Sequence, residues 1–175
     1  WNSRKSGQKP VSDFGHYQKH LRDAYRKVRH EQWVDELPDI SKHLKTYRET
    51  IRKLKSFADS RGSEIFYVSQ PFVWSKNMSE ETNAQIYAGF IGSDPTSPTT
   101  KWYTPHALEA GLKAYNNSLR QACQEEKLDC IDLAAKLPQK ARFFYDDFHF
   151  SEAGAAKVAE IVATDLRKKS DFCPR

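Results

Sequence analysis

Residues 144–154 read Phe144-Tyr145-Asp146-Asp147-Phe148-His149-Phe150-Ser151-Glu152-Ala153-Gly154, a polar turn set between an apolar triplet and a helix start. Ser151 is a favoured N-cap residue, and Val158, Ile161, Val162 and Leu166 then recur on one helical face. A carboxylate three residues before a histidine can fold back in a tight turn and accept the imidazole N–H. That contact fixes the tautomer and stabilises the imidazolium formed when the opposite nitrogen takes a proton. Asp146 and His149 have this spacing, whereas Asp147 is only two residues from the histidine. A helix capped at Ser151 would hold the turn at the strand ends, where open α/β sheets place their ligands. Plainer readings fit the same residues: a solvated turn with a surface histidine, and a Ser151 that is only a cap. Metal binding is disfavoured, because Asp146, Asp147 and His149 crowd too few ligands into too short a span.

Working upstream, Leu128-Asp129-Cys130-Ile131-Asp132 reads as a short strand. The helix before it carries Leu108, Leu112, Tyr115, Leu119 and Ala122 on one face, with Thr104 and Pro105 as N-cap and first-turn pair. Residues 71–104 form a long connection with one short helix beginning near Ser79, where Glu80 and Glu81 suit the first turn. Within it, Gly92-Ser93-Asp94-Pro95-Thr96-Ser97-Pro98 has loop chemistry. A second buried strand, Ile65-Phe66-Tyr67-Val68, is ended by Pro71. Before it, Ile40, Leu44, Tyr47, Ile51, Leu54 and Ala58 form the stripe of a helix opened by Pro38 and Asp39, with Gly62 near its C-cap. Phe14, Tyr17, Leu21, Tyr25 and Val28 predict another helix from Asp13 to about His30. Residues 1–12 read as a flexible lead-in, and 1–175 as a single domain.

The balance of 28 Lys+Arg against 23 Asp+Glu leaves +5, and the excess lies in residues 1–61. Clustered basic side chains can neutralise phosphates. Here they fall on the outward faces of two amphipathic helices with acidic residues between, so no nucleic-acid partner is expected. The longest aliphatic and aromatic run is Ile65–Val68, far short of the roughly 20 residues of a membrane span. No membrane association is expected of this segment. An aromatic content of 13% excludes intrinsic disorder as the dominant state. Cys123, Cys130 and Cys173 show no zinc spacing. Cys123 and Cys130 flank a short turn and read equally as a disulfide or as two buried thiols. A disulfide would point to an extracytoplasmic compartment.

The alternation of helices and strands is α/β grammar, with strands across helical crossovers pairing in parallel. Two strands cannot cover the faces of this many helices, so further strands are expected upstream. The start at Trp1 in place of Met fits an excerpt or processed product.

The segment YDDFHFSEAGAAKVAEIVATDL resembles the last conserved block of the SGNH (GDSL-type) hydrolases. YRETIRKLKSFADSRGSEIFYVSQP is similar to the family's helix–strand unit before the active-site loops, and AYNNSLRQACQEEKLDCIDLAAKLP to the next. Together these cover most of residues 40–168. The resemblance implies a three-layer α/β/α fold with a parallel sheet, incomplete in this chain, and hydrolysis of esters or O-acyl groups. It implies His149 as general base, Asp146 as its orienting partner, no cofactor, no metal, and a small-molecule or carbohydrate ester as substrate.

The family's serine nucleophile lies in a Gly-Asp-Ser block, and its oxyanion donors include a glycine and the asparagine of a Gly-x-Asn-Asp block. Neither block occurs here. Ser93 sits in Gly-Ser-Asp, the wrong order, and Ser12 has no preceding strand; no Gly-x-Ser-x-Gly elbow exists. The nucleophile is therefore expected before Trp1, and this chain alone is expected to show negligible esterase turnover. The alternative is a non-catalytic binding module on a degenerate scaffold. Trp74, Trp102 and Tyr103 in the long connection read either as pocket lining or as packing.

Overall fold

The computed structural model describes residues 11–75 and 77–168, with side chains described from residue 17. Of the lead-in expected over 1–12, residues 1–10 lie outside the described residues and the remainder is helical. Two long helices precede the first central strand: α1 (Val11–Arg26) and α2 (Ser41–Asp59). α2 begins two residues beyond the expected Asp39, because the Asp39 carboxylate accepts the Ser41 N–H at 2.9 Å from outside the helix. Gly62 turns the chain away after α2 with φ at 63°, a conformation that favours a residue without Cβ. The short α3 (Glu80–Gln85) starts where Ser79 Oγ accepts the Thr82 N–H at 3.1 Å. Thr104 caps α4 (Pro105–Glu125) through the Ala107 N–H, α5 is the single turn Leu133–Lys136, and Ser151 caps α6 (Glu152–Arg167) through the Gly154 N–H. Each cap satisfies a backbone donor that the first helical turn leaves orphaned.

The fold is mixed α/β with two small sheets. β2 (Tyr67–Val68) pairs in parallel with β5 (Cys130–Ile131), with Tyr67 opposite Cys130. β1 (Trp33–Val34), β3 (Phe90–Ile91) and β4 (Lys101–Tyr103) form a second sheet in the order β1-β4-β3. There β4 is parallel to β1 but antiparallel to β3. Beside the parallel β2–β5 pair, the structure thus holds a mixed sheet that the sequence pattern does not mark. Its strands of two or three residues are too short to show an alternating pattern, so their segments read as loop.

Two clusters bury the apolar faces. α2 and α4 close over β2 through Ile51, Tyr67, Leu119 and Ala122, and Tyr67 Oη donates to the Ile51 carbonyl at 2.9 Å. Arg48 pairs with Glu125, and Arg52 with Glu126 at 2.7 Å, across the same helix pair. Cys123 and Cys130 form a disulfide with Cα atoms 6.2 Å apart, tying the end of α4 to β5. That bond is consistent with an extracytoplasmic location. No described helix is long and apolar enough to cross a membrane. The larger cluster joins Tyr25, Val73, Trp74, Ile86, Trp102 and Phe144, with Ile161 of α6, and lies beneath the Asp146–His149 turn.

Candidate active site

The turn is closed by the backbone. Phe144 and Phe150 form an antiparallel bridge, and Tyr145 N–H donates to the His149 carbonyl at 3.1 Å. Ser151 N–H reaches the Phe143 carbonyl at 3.1 Å, and its hydroxyl donates to the Arg142 carbonyl at 2.6 Å. Ser151 is therefore committed as a cap. The first turn of α6 lies so near this strand that a Cβ on Gly154 would meet the Phe143 carbonyl oxygen at 1.9 Å. Glycine is required there by contact, since any larger residue would push the turn off the helix.

Inside the closed loop, four donors converge on the Asp146 carboxylate, which is 1% exposed. Oδ1 accepts the backbone N–H of Phe148 at 3.1 Å and of His149 at 2.8 Å. Oδ2 meets His149 Nδ1 at 2.8 Å and the Tyr87 hydroxyl at 3.1 Å. Burial pushes the carboxyl up, but the two backbone N–H groups and the imidazole outweigh it and hold Asp146 below the usual carboxylate range. An ionised carboxylate only accepts, so the Nδ1 of a neutral His149 carries the proton and its Nε2 presents a lone pair. The His149 side chain is 50% exposed, and no described residue hydrogen-bonds to Nε2. Tyr145 stacks on the ring at 5.6 Å and Phe148 lies at 4.6 Å. Both are substantially exposed and form an apolar rim.

The adjacent Asp147 points elsewhere. Its carboxylate accepts Trp74 Nε1–H at 2.7 Å, Tyr87 N–H at 2.9 Å and Ala88 N–H at 3.1 Å, and its carbonyl accepts Val73 N–H at 3.1 Å. Burial raises its carboxyl against these donors. Asp147 thereby anchors both ends of the 71–88 connection beneath the turn. Tyr87 and Asp147 are neighbours of the Asp146–His149 pair whose places sequence reading missed. Tyr87 lies 59 residues before Asp146 in a stretch without regular pattern, so no local signal marks it.

α1 braces the same place. Arg22 donates to the carbonyls of Gln85 at 3.0 Å and Tyr145 at 3.1 Å, and its guanidinium sits 5.3 Å from the Tyr87 ring centre. Arg26 donates to the Ala84 carbonyl at 3.1 Å. Two cations thus satisfy two of the orphaned carbonyls at the end of α3. Part of the basic N-terminal excess is spent on this contact.

Trp74 is buried beside Phe72 and Asp147, Trp102 is buried and also lines a cleft beside α1, and Tyr103 is a half-buried strand residue. Ser93 is exposed in the loop after β3, and Ser12 lies in α1. No described hydroxyl is hydrogen-bonded to His149. No group of three metal-ligating side chains occurs among the described residues. A cleft of about 360 Å³ between α1 and residues 95–98 includes no member of the Asp146–His149 turn.

A family model described as an SGNH hydrolase-like domain, acetyltransferase AlgX, matches residues 101–173. Residues 101–173 are thus similar to that domain. The matched portion runs from β4 to the C-terminal helix and includes Asp146, Asp147 and His149; Tyr87, Trp74 and Arg22 lie before it. Neither the curated proteins nor the solved structures contain a match to the chain.

Proposed function

We propose that this chain carries the general-base half of a serine-dependent acyl-transfer site, with His149 as base and Asp146 as its orienting partner. The observation that carries the reading is the 2.8 Å contact from His149 Nδ1 to a buried carboxylate, with the ring half-exposed and Nε2 bonded by no described residue. The scaffold is read as a three-layer α/β/α SGNH domain in which β2 and β5 are two neighbouring strands of the parallel sheet. The nucleophilic serine comes from chain outside the described residues.

In this reading Nε2 takes the serine hydroxyl proton as the oxygen attacks the acyl carbon of an ester. Asp146 stabilises the imidazolium that results. The imidazolium then gives its proton to the departing alkoxide, leaving an acyl-enzyme. A second hydroxyl, from water or from an alcohol acceptor, then gives its proton to the same Nε2 as its oxygen attacks the acyl carbon, and the imidazolium returns that proton to the departing serine oxygen. Hydrolysis and acyl transfer therefore use one dyad, which suits a portion matching a family described by an acetyltransferase. The substrate class is a small-molecule or carbohydrate ester, met outside the cytoplasm, with Tyr145 and Phe148 as its apolar contact. A non-catalytic binding role has no comparable support.

The test compares p-nitrophenyl acetate hydrolysis by the full-length protein, by the full-length His149→Ala variant and by this chain alone. Turnover is expected from the first only. Wild-type turnover in the variant would overturn the assignment.

A further inference from the structure

The Tyr87 hydroxyl has two neighbours that define its role. It lies 3.1 Å from Asp146 Oδ2, the same oxygen that receives His149 Nδ1. On its other side Gln18 Nε2 donates to it at 3.4 Å. The phenol therefore has an amide donor behind it, which turns its own O–H toward the carboxylate. Burial, then the charges of Asp146 and Asp147, push its ionisation far above neutrality, so it stays a donor throughout the working range.

Its placement is fixed from three elements. Asp147 holds the Tyr87 backbone N–H, Arg22 of α1 lies over the ring, and Ile86 beside it is buried in the main core. A side chain held this firmly is aimed at Asp146 by construction. Two donors on one carboxylate oxygen share its lone-pair density. Each weakens the pull that the oxygen exerts on the other.

We propose that Tyr87 is a positioning residue for the His149–Asp146 pair: its hydroxyl fixes the carboxylate rotamer and moderates the hold of Oδ2 on the imidazole. The proposal rests on the acyl-transfer reading for its purpose. Its physical content, a coupling between the Tyr87 phenol and the His149 ring, stands without it. The charged and titratable groups facing this pair are Asp146 and Asp147 of the turn and Arg22 of α1. Tyr145 adds a stacked ring.

The experiment is an NMR pH titration of the His149 ring protons in the full-length protein, native and Tyr87→Phe. Removing the phenol O–H leaves Oδ2 to the imidazole alone, so the proton-binding midpoint rises, by about half a pH unit. Site-specific 3-fluorotyrosine at position 87 keeps the shape and supplies a more acidic phenol, so the midpoint falls. This second variant decides the matter should Tyr87→Phe fold poorly. A midpoint unmoved in folded variants, or moved in the same direction by both, overturns the proposal and leaves Tyr87 a packing residue. Loss of turnover in His149→Ala bears on the acyl-transfer reading and not on this coupling, so the two can fail separately.

Discussion

Replacing Asp146 with asparagine changes one atom's chemistry in a side chain that four donors surround within 3.1 Å. Asparagine can keep its carbonyl oxygen on the Phe148 and His149 backbone N–H groups. Its NH2 group then faces His149 Nδ1 and the Tyr87 hydroxyl. A donor opposite Nδ1 forces that nitrogen to accept, and the ring proton moves to Nε2. The lone pair needed by a base is then in the wrong place. In serine-dependent triads a tautomer reversal of this kind costs about 10⁴-fold in turnover, and a similar loss is expected in the full-length Asp146→Asn protein. The cost to folding is smaller. Charge-assisted bonds contribute about 1.5–3 kcal/mol each but asparagine retains neutral versions of two, so a loss of about 2 kcal/mol is expected. Nitrogen-15 shifts of the imidazole read the tautomer directly, and a urea melt reads the stability. A folded variant whose Nδ1 still carries the proton would refute the reasoning, whatever its activity.

Three further outcomes follow from the packing and charge around the turn. Gly154→Ala places a methyl where the Phe143 carbonyl stands, and a loss of about 3 kcal/mol is expected in a thermal melt, since overpacking against backbone cannot relax through a side chain; an unchanged midpoint would show that α6 does not grip the turn. Replacing Cys123 and Cys130 with serine opens a short covalent loop, with about 2 kcal/mol lost in urea relative to the disulfide form; equal stability would make the bond incidental. Asp146 and Asp132 both sit below the usual carboxylate range. For Asp132 the Arg120 hydrogen bond is the leading cause. A depressed native value means stability that is present above about pH 4 and lost as pH falls through the native value. Asp146→Asn should therefore flatten the acid limb of a stability–pH curve, and a limb of unchanged slope would contradict the assignment.

Features with a local cause were legible in the sequence. Ser79, Thr104 and Ser151 were each readable as caps because the cap and the donor it satisfies lie three residues apart. The Asp146–His149 contact was readable for the same reason, being a turn-closing pair. The features that escaped reading are non-local. β1, β3 and β4 owe their pairing to partners far along the chain and are too short for a pattern. Asp147 looked like a spare acid, and its function is visible only when Trp74, Tyr87 and Ala88 are brought to it. Arg22 counted as surface charge until the fold delivered the end of α3 to it. The Cys123–Cys130 pair was open between thiols and disulfide, because sequence spacing does not set the angle between a helix end and a strand.

We propose that His149 draws the proton from a serine. The rate at which a fluorophosphonate labels the full-length protein reads that step without any choice of substrate. One covalent serine adduct is expected, with a labelling rate about 10³-fold or more lower in His149→Ala, within the range a positioned general base contributes when its partners act as a unit. Equal labelling rates in native and variant protein, or no serine adduct in an active preparation, would contradict it.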